Sequence, residues 1–139
     1  MTGVQTCALP ISAVADIDLI RLGTVADAEE IKETENAQPL IVAAGLVGAL
    51  SLFPHPSDAF NKVAVTAGHS VGELTAAAGA RAITAESAMV LVRERGKAMA
   101  EASARVATGM SAVLGGERDL VIAAIEKFGL TAEIGRAHV

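Results

Sequence analysis

Two polar groups in this chain could do chemistry together: a serine set between glycines, and an arginine 25 residues after it. The run Gly68-His69-Ser70-Val71-Gly72-Glu73 has the form Gly-x-Ser-x-Gly. The strand-like Val63-Ala64-Val65-Thr66-Ala67 precedes it, and the helix-like Leu74-Thr75-Ala76-Ala77-Ala78 follows. A strand, a sharp turn and a helix push a serine hydroxyl outward as a nucleophile. The flanking glycines suit a strained turn, and a Cβ at either is expected to clash with the adjoining element. Val71 N–H then lies at a helix N-terminus, placed to hold a developing oxyanion. The motif also arises by chance, and a plain turn between core elements is the alternative reading.

The arginine lies in a helical pattern over residues 85–104, which Thr84 caps and Glu86 follows in the first turn. At about 100° per residue, Ala88, Leu91, Val92, Met99 and Ala102 share one face, and Glu86, Arg93, Glu94, Lys97 and Glu101 crowd the other. Arg95 falls within the apolar stripe. A buried guanidinium costs several kcal/mol unless paired, so it needs a carboxylate from the protein or from a ligand. A structural salt bridge, or an arginine snorkelling from the core edge, would serve as well. Gly96 beside it permits the close approach of another backbone or a substrate.

The elements that hold these groups alternate. Residues 18–22 form a weak extended piece, and 27–34 a short charged surface helix. Pro39 suits the first turn of an apolar helix over 39–53. Pro54-His55-Pro56-Ser57-Asp58 is a breaker loop. A strand is expected at 63–67, then the serine turn, a helix to Gly79, the helix over 85–104, a second strand at 110–114 ended by Gly115-Gly116, and a helix over 117–128 closed by Gly129. This order predicts an α/β fold.

Both ends of the chain read as one oligonucleotide. Met1 to Ile11 back-translates to a sequencing adapter, and the reverse complement of that adapter encodes Glu133-Ile134-Gly135-Arg136-Ala137-His138-Val139 followed by a stop. Residues 1–12 and 133–139 are therefore set apart, which leaves an internal fragment. The lone Cys7 falls in the first of these stretches, so the remainder offers no disulfide and no Cys-based metal site. His138 falls in the second, leaving His55 and His69.

The chain is 52% hydrophobic, with a net charge of −5 and neither Trp nor Tyr. An acidic chain with no basic patch or aromatic stacking platform argues against nucleic acid as a partner. The longest apolar run, Leu40 to Phe53, is short for a membrane span and reads as a buried helix. No metal or cofactor is expected, and the composition suits a cytoplasmic globular enzyme.

Gly-His-Ser-x-Gly-Glu, followed by Arg95-Gly96-Lys97-Ala98-Met99, resembles the malonyl-CoA:acyl-carrier-protein transacylases of fatty-acid synthesis. Asn36-Ala37-Gln38-Pro39-Leu40, Gly79-Ala80 and Gly109-Met110-Ser111-Ala112-Val113-Leu114-Gly115 fit the same family, so the likeness spans nearly all of 16–132. It implies that Ser70 accepts the malonyl group from malonyl-CoA as an ester and passes it to the phosphopantetheine thiol of acyl carrier protein. Arg95 would clamp the malonyl carboxylate through its fork of donors. Val71 N–H would be one oxyanion donor. Gln38 is expected to line the cleft or, alternatively, to cap its own helix. Gln38, His69 and Met99 are grouped with Arg95 as substrate-binding residues, with His69 supporting the turn rather than acting as the base. The resemblance places the catalytic histidine downstream and the second oxyanion donor upstream, which would leave this fragment inactive by itself. It also implies an α/β-hydrolase-like subdomain over 13–104 and the start of a ferredoxin-like subdomain over 105–132, both incomplete and exposing apolar surface.

Other readings are the acyltransferase domain of a polyketide synthase, a serine hydrolase of the α/β-hydrolase class, and a binding module whose serine turn is only structural. A carboxylate beside Arg95 and a buried Ser70 would favour the last.

Overall fold

Asp18 and Asp27 start two short helices by accepting hydrogen bonds from free backbone N–H groups. In the computed structural model, which describes residues 10–53, 55, 58, 61–106, 111 and 113–131, helix α1 spans Leu19–Thr24 and α2 spans Ala28–Lys32. Asp18 Oδ1 accepts from Arg21 N at 2.9 Å, and Asp27 Oδ1 accepts from Glu29 N and Glu30 N. The extended piece expected at 18–22 is thus helical. Leu19 and Leu22, three residues apart, share the buried face, a spacing that a strand would send to opposite sides.

Helix α3 spans Thr34–Leu52, and α4 spans Gly72–Gly79. α5 covers Ala85–Arg105, capped by Thr84, whose side chain accepts from Ser87 N. α3 starts five residues earlier than its sequence pattern suggests, so Pro39 sits inside it. Proline removes only the bond to the Glu35 carbonyl, within the first turns, and the buried Pro39 ring adds to the core.

α3 is the centre of the first compact unit, residues 1–106, and packs against α1, α2, α4 and α5. Val42 and Ala43 of α3 meet Ala88, Met89 and Val92 of α5, with Ala15 and Leu19 completing the cluster. Ile11, from the opening stretch that reads as adapter, lies in this core too. By length and composition alone α3 could cross a membrane. Gln38, Pro39, Val42 and Ala43 are buried within the helical unit, but only 22% of the helix's apolar window is, so the buried helix expected there is buried along one side alone.

The buried face of α5 is Ala88, Met89, Val92 and Gly96. Leu91 and Met99, expected on it, are 50% and 37% exposed, and Ala102 is exposed. Leu91 points away from the face that α3 covers, and for Met99 and Ala102 the reason lies at Gly96. A Cβ there would stand 3.2 Å from Glu35 Cα and 3.3 Å from the Thr34 carbonyl oxygen, at the very start of α3. α5 crosses α3 at that point and its last turns run on beyond it.

The strand expected at 63–67 does not form. These residues are exposed and carry no ladder, because no described segment offers a second strand. Thr66 Oγ1 instead donates to the Ala76 carbonyl at 3.0 Å, which ties the segment to α4. Of the second expected strand, residues 110 and 112 lie outside the described residues, and the described ones are unpaired. Among the described residues the structure is therefore helical. The second unit, residues 107–139, contains α6 (Arg118–Lys127), closed by Gly129 at φ +62°, and none of the residues of α6 is buried.

Arg21 of α1 pairs with Glu30 of α2, one of its bonds being Nη1 to Oε2 at 3.1 Å. Hydrogen bonding from Arg21 holds the Glu30 carboxyl below the usual carboxylate range and raises Arg21 in turn. A depressed carboxyl stabilises the fold above its unfolded pKa, and the gain fades as pH falls through the folded value. The urea midpoint of Glu30→Gln should therefore lie below that of the parent at pH 7, and the gap should close as pH drops below about 4. Met89, fully buried between the helices, is the core's test: Met89→Ala should cost about 2–5 kcal/mol in urea unfolding.

Candidate active site

Ser70 sits at φ +54°, a left-handed conformation that a side-chain-bearing residue adopts only when its surroundings impose it. The turn is imposed by its hydrogen bonds and by Gly68. Gly72 N donates to His69 O at 3.0 Å, and Glu73 N to Ser70 O at 3.1 Å. A Cβ on Gly68 would overlap the Gly72 carbonyl and the Glu73 nitrogen. Gly72 is different, since a Cβ there meets nothing within 4 Å. Of the two glycines expected to be sterically required, only the first is, and the clash is with the turn itself.

Residues after the turn anchor it. Val71, Leu74 and Ala78 pack their side chains against the core cluster. Gly45 of α3 lets Thr75 of α4 come close, for a Cβ there would lie 2.8 Å from Thr75 Cγ2. Ser70 itself is exposed, with its hydroxyl outside the packed layer. Val71 precedes the first residue of α4, and its N–H finds no acceptor among the described residues.

Arg95 reaches this hydroxyl. Its Nη2 donates to Ser70 Oγ at 2.9 Å, and its Nη1 donates to Oε1 of Gln38. No carboxylate among the described residues pairs with Arg95; the ion pairs there are Arg21–Glu30, Lys32–Glu29, Arg93–Glu94 and Arg118–Asp119. The cation is half-buried and held by neutral groups alone. This arrangement can take up an anion while keeping it next to the Ser70 hydroxyl.

Gln38 is buried, and its Nε2 donates to Met99 Sδ at 3.2 Å. Arg95 and Met99 are four residues apart on α5, so both project from one face onto the same amide. Ser70, Val71, Arg95, Gln38 and Met99 thus gather at one place. His69, beside Ser70 in sequence, is exposed and makes no side-chain hydrogen bond among the described residues, so nothing draws it into this group. The role of Thr66 in tying the turn to α4 had no sequence signal, since a threonine in a β-prone run reads as strand.

No family model matches the chain. Over 119 residues it is 49% identical to the malonyl CoA-acyl carrier protein transacylase of Mycobacterium tuberculosis (strain ATCC 25618 / H37Rv), a match over 86% of this chain and 39% of that protein. It is 44% identical to the protein of that name from Mycolicibacterium smegmatis, with 86% and 40% covered. The Staphylococcus aureus N315 protein of the same name is 36% identical, over 79% and 34%. The crystal structure of MCAT from Mycobacterium tuberculosis superposes with a TM-score of 0.82 at 43% identity, covering 94% of this chain and 43% of that one. The chain thus spans about two fifths of the length of the mycobacterial relatives. Its backbone follows an acyltransferase, while the α/β character expected from sequence has no strand among the described residues.

The turn makes its own prediction. Gly68→Ala should prevent Ser70 from holding its position, and acylation of the Ser70 peptide by an activated ester probe should fall at least tenfold while α5 keeps its helicity by circular dichroism.

Proposed function

We propose that the chain is a segment of a malonyl CoA-acyl carrier protein transacylase and carries the acyl-accepting and acid-selecting part of such an enzyme. The hydrogen bond from Arg95 to Ser70 Oγ supports this reading most directly. It puts a cation with no carboxylate partner within reach of a three-carbon acyl group bound at the hydroxyl.

Ser70 Oγ attacks the thioester carbonyl of malonyl-CoA. The carbon–sulfur bond breaks, CoA leaves as its thiol, and a malonyl-serine ester remains. The thiol of acyl carrier protein then attacks the ester carbonyl, and Ser70 regains its proton. The Val71 N–H faces the oxyanion of each tetrahedral intermediate. The base that takes the Ser70 proton is a histidine in the part of the enzyme beyond this segment. Arg95 binds the free carboxylate of the malonyl group, which holds the thioester near Ser70 and disfavours acyl groups without an acid. Gln38 and Met99 border the same cleft, with His69 at its edge. The whole enzyme has an α/β-hydrolase-like large subdomain, in which 63–67 is paired as a strand, and a ferredoxin-like small one that begins near residue 105. It works in the cytoplasm, without metal or cofactor, and an acidic chain lacking a basic patch is suited neither to nucleic acid nor to a membrane surface.

The test uses the full-length protein containing this segment, incubated with malonyl-CoA or acetyl-CoA. A malonyl adduct should appear on the Ser70 peptide and vanish in Ser70→Ala. Arg95→Ala should lower malonyl loading by roughly ten- to hundredfold, the worth of hydrogen bonds to a charged group at about 1.5–3 kcal/mol. Equal loading of the two acyl groups by the parent protein would rule out the clamp.

A further inference from the structure

Gln38 is the one polar residue buried as a whole among the described residues, 7% exposed at the start of the longest apolar run. A buried amide is tolerated only when both of its ends are satisfied. Here the neighbours fix which end points where. A guanidinium has donors and no acceptor, so the end that meets Arg95 Nη1 is the carbonyl oxygen. The NH₂ end then faces Met99 Sδ, a weak acceptor. The i, i+4 spacing of Arg95 and Met99 on α5 presents a donor and an acceptor to the two ends of one amide.

The next link in this chain of bonds is Ser70. With Nη1 on Gln38, the arginine turns Nη2 toward Ser70 Oγ. A free arginine side chain samples many rotamers, and ordering it before the substrate arrives removes that entropy cost from binding. The orienting group is neutral, so the cation keeps its full charge for an incoming acid. A carboxylate in its place could satisfy the same geometry but would neutralise the clamp.

We propose that Gln38 is a positioning residue that orients the Arg95 guanidinium toward the substrate's free carboxylate, and that Met99 acts behind it by fixing the direction of the Gln38 amide. This rests on the transacylase reading above and adds to it the residues that set acid selectivity. Gln38 acts through Arg95 and transfers no proton.

The test measures kcat and KM for malonyl and acetyl loading in the full-length protein and its variants, with thermal melts to confirm folding. Gln38→Leu should lower kcat/KM for malonyl about tenfold more than for acetyl, chiefly through KM. Gln38→Glu, nearly identical in shape, should act in the same direction by at least as much. Met99→Leu should produce a smaller selective loss, about two- to fivefold. In an Arg95→Ala background, Gln38→Leu should no longer change the malonyl-to-acetyl ratio. Losses that fall equally on both acyl groups, or a selective effect that persists without Arg95, would overturn the positioning role. If Arg95→Ala is selective and neither Gln38 variant is, the positioning role fails alone. If Arg95→Ala is as selective as the parent, the clamp fails and takes this proposal with it.

Discussion

A positive charge without a negative partner organises this structure. Arg95 is half-buried on α5, and the groups that satisfy it are an amide and a hydroxyl rather than a carboxylate. Dipoles can orient a guanidinium and partly replace its water, but they leave its charge uncompensated. Three distant parts of the sequence must meet for this to happen: the start of α3, the turn before α4 and the middle of α5. The packing of α4 and α5 around α3 brings about that meeting.

The contact at Gly96 shows how closely packing and site are joined. The glycine next to Arg95 rests on the backbone of Thr34 and Glu35, only a few residues before Gln38. The distance between the two helices at the site is thus set by a position that has no side chain. The turn at Ser70 is set in a comparable way by Gly68. In both cases an absent Cβ determines where a polar group points.

The residues of the candidate site were easier to read in the sequence than the fold. Ser70 and Arg95 were visible from motif and helical wheel, and the structure brings them within hydrogen-bond distance. The limits of individual elements were less legible. Residues 18–22 were too few for periodicity to separate strand from helix, and Asp18 as a cap decided the matter. Pro39 suggested a helix start, although the helix tolerates it a turn later. The wheel placed Met99 in the core by assuming a partner along all of α5, whereas α3 begins opposite Gly96, and it centred the apolar stripe too near Leu91. Strand pairing at 63–67 depends on neighbours that local sequence cannot supply. The Gln38–Met99 bond joins residues 61 apart, and no local pattern could have shown it.

Ser70 Oγ uses a lone pair to accept the Arg95 N–H. While that bond lasts, the hydroxyl can turn its own hydrogen only through the part of its rotation that the arginine leaves open.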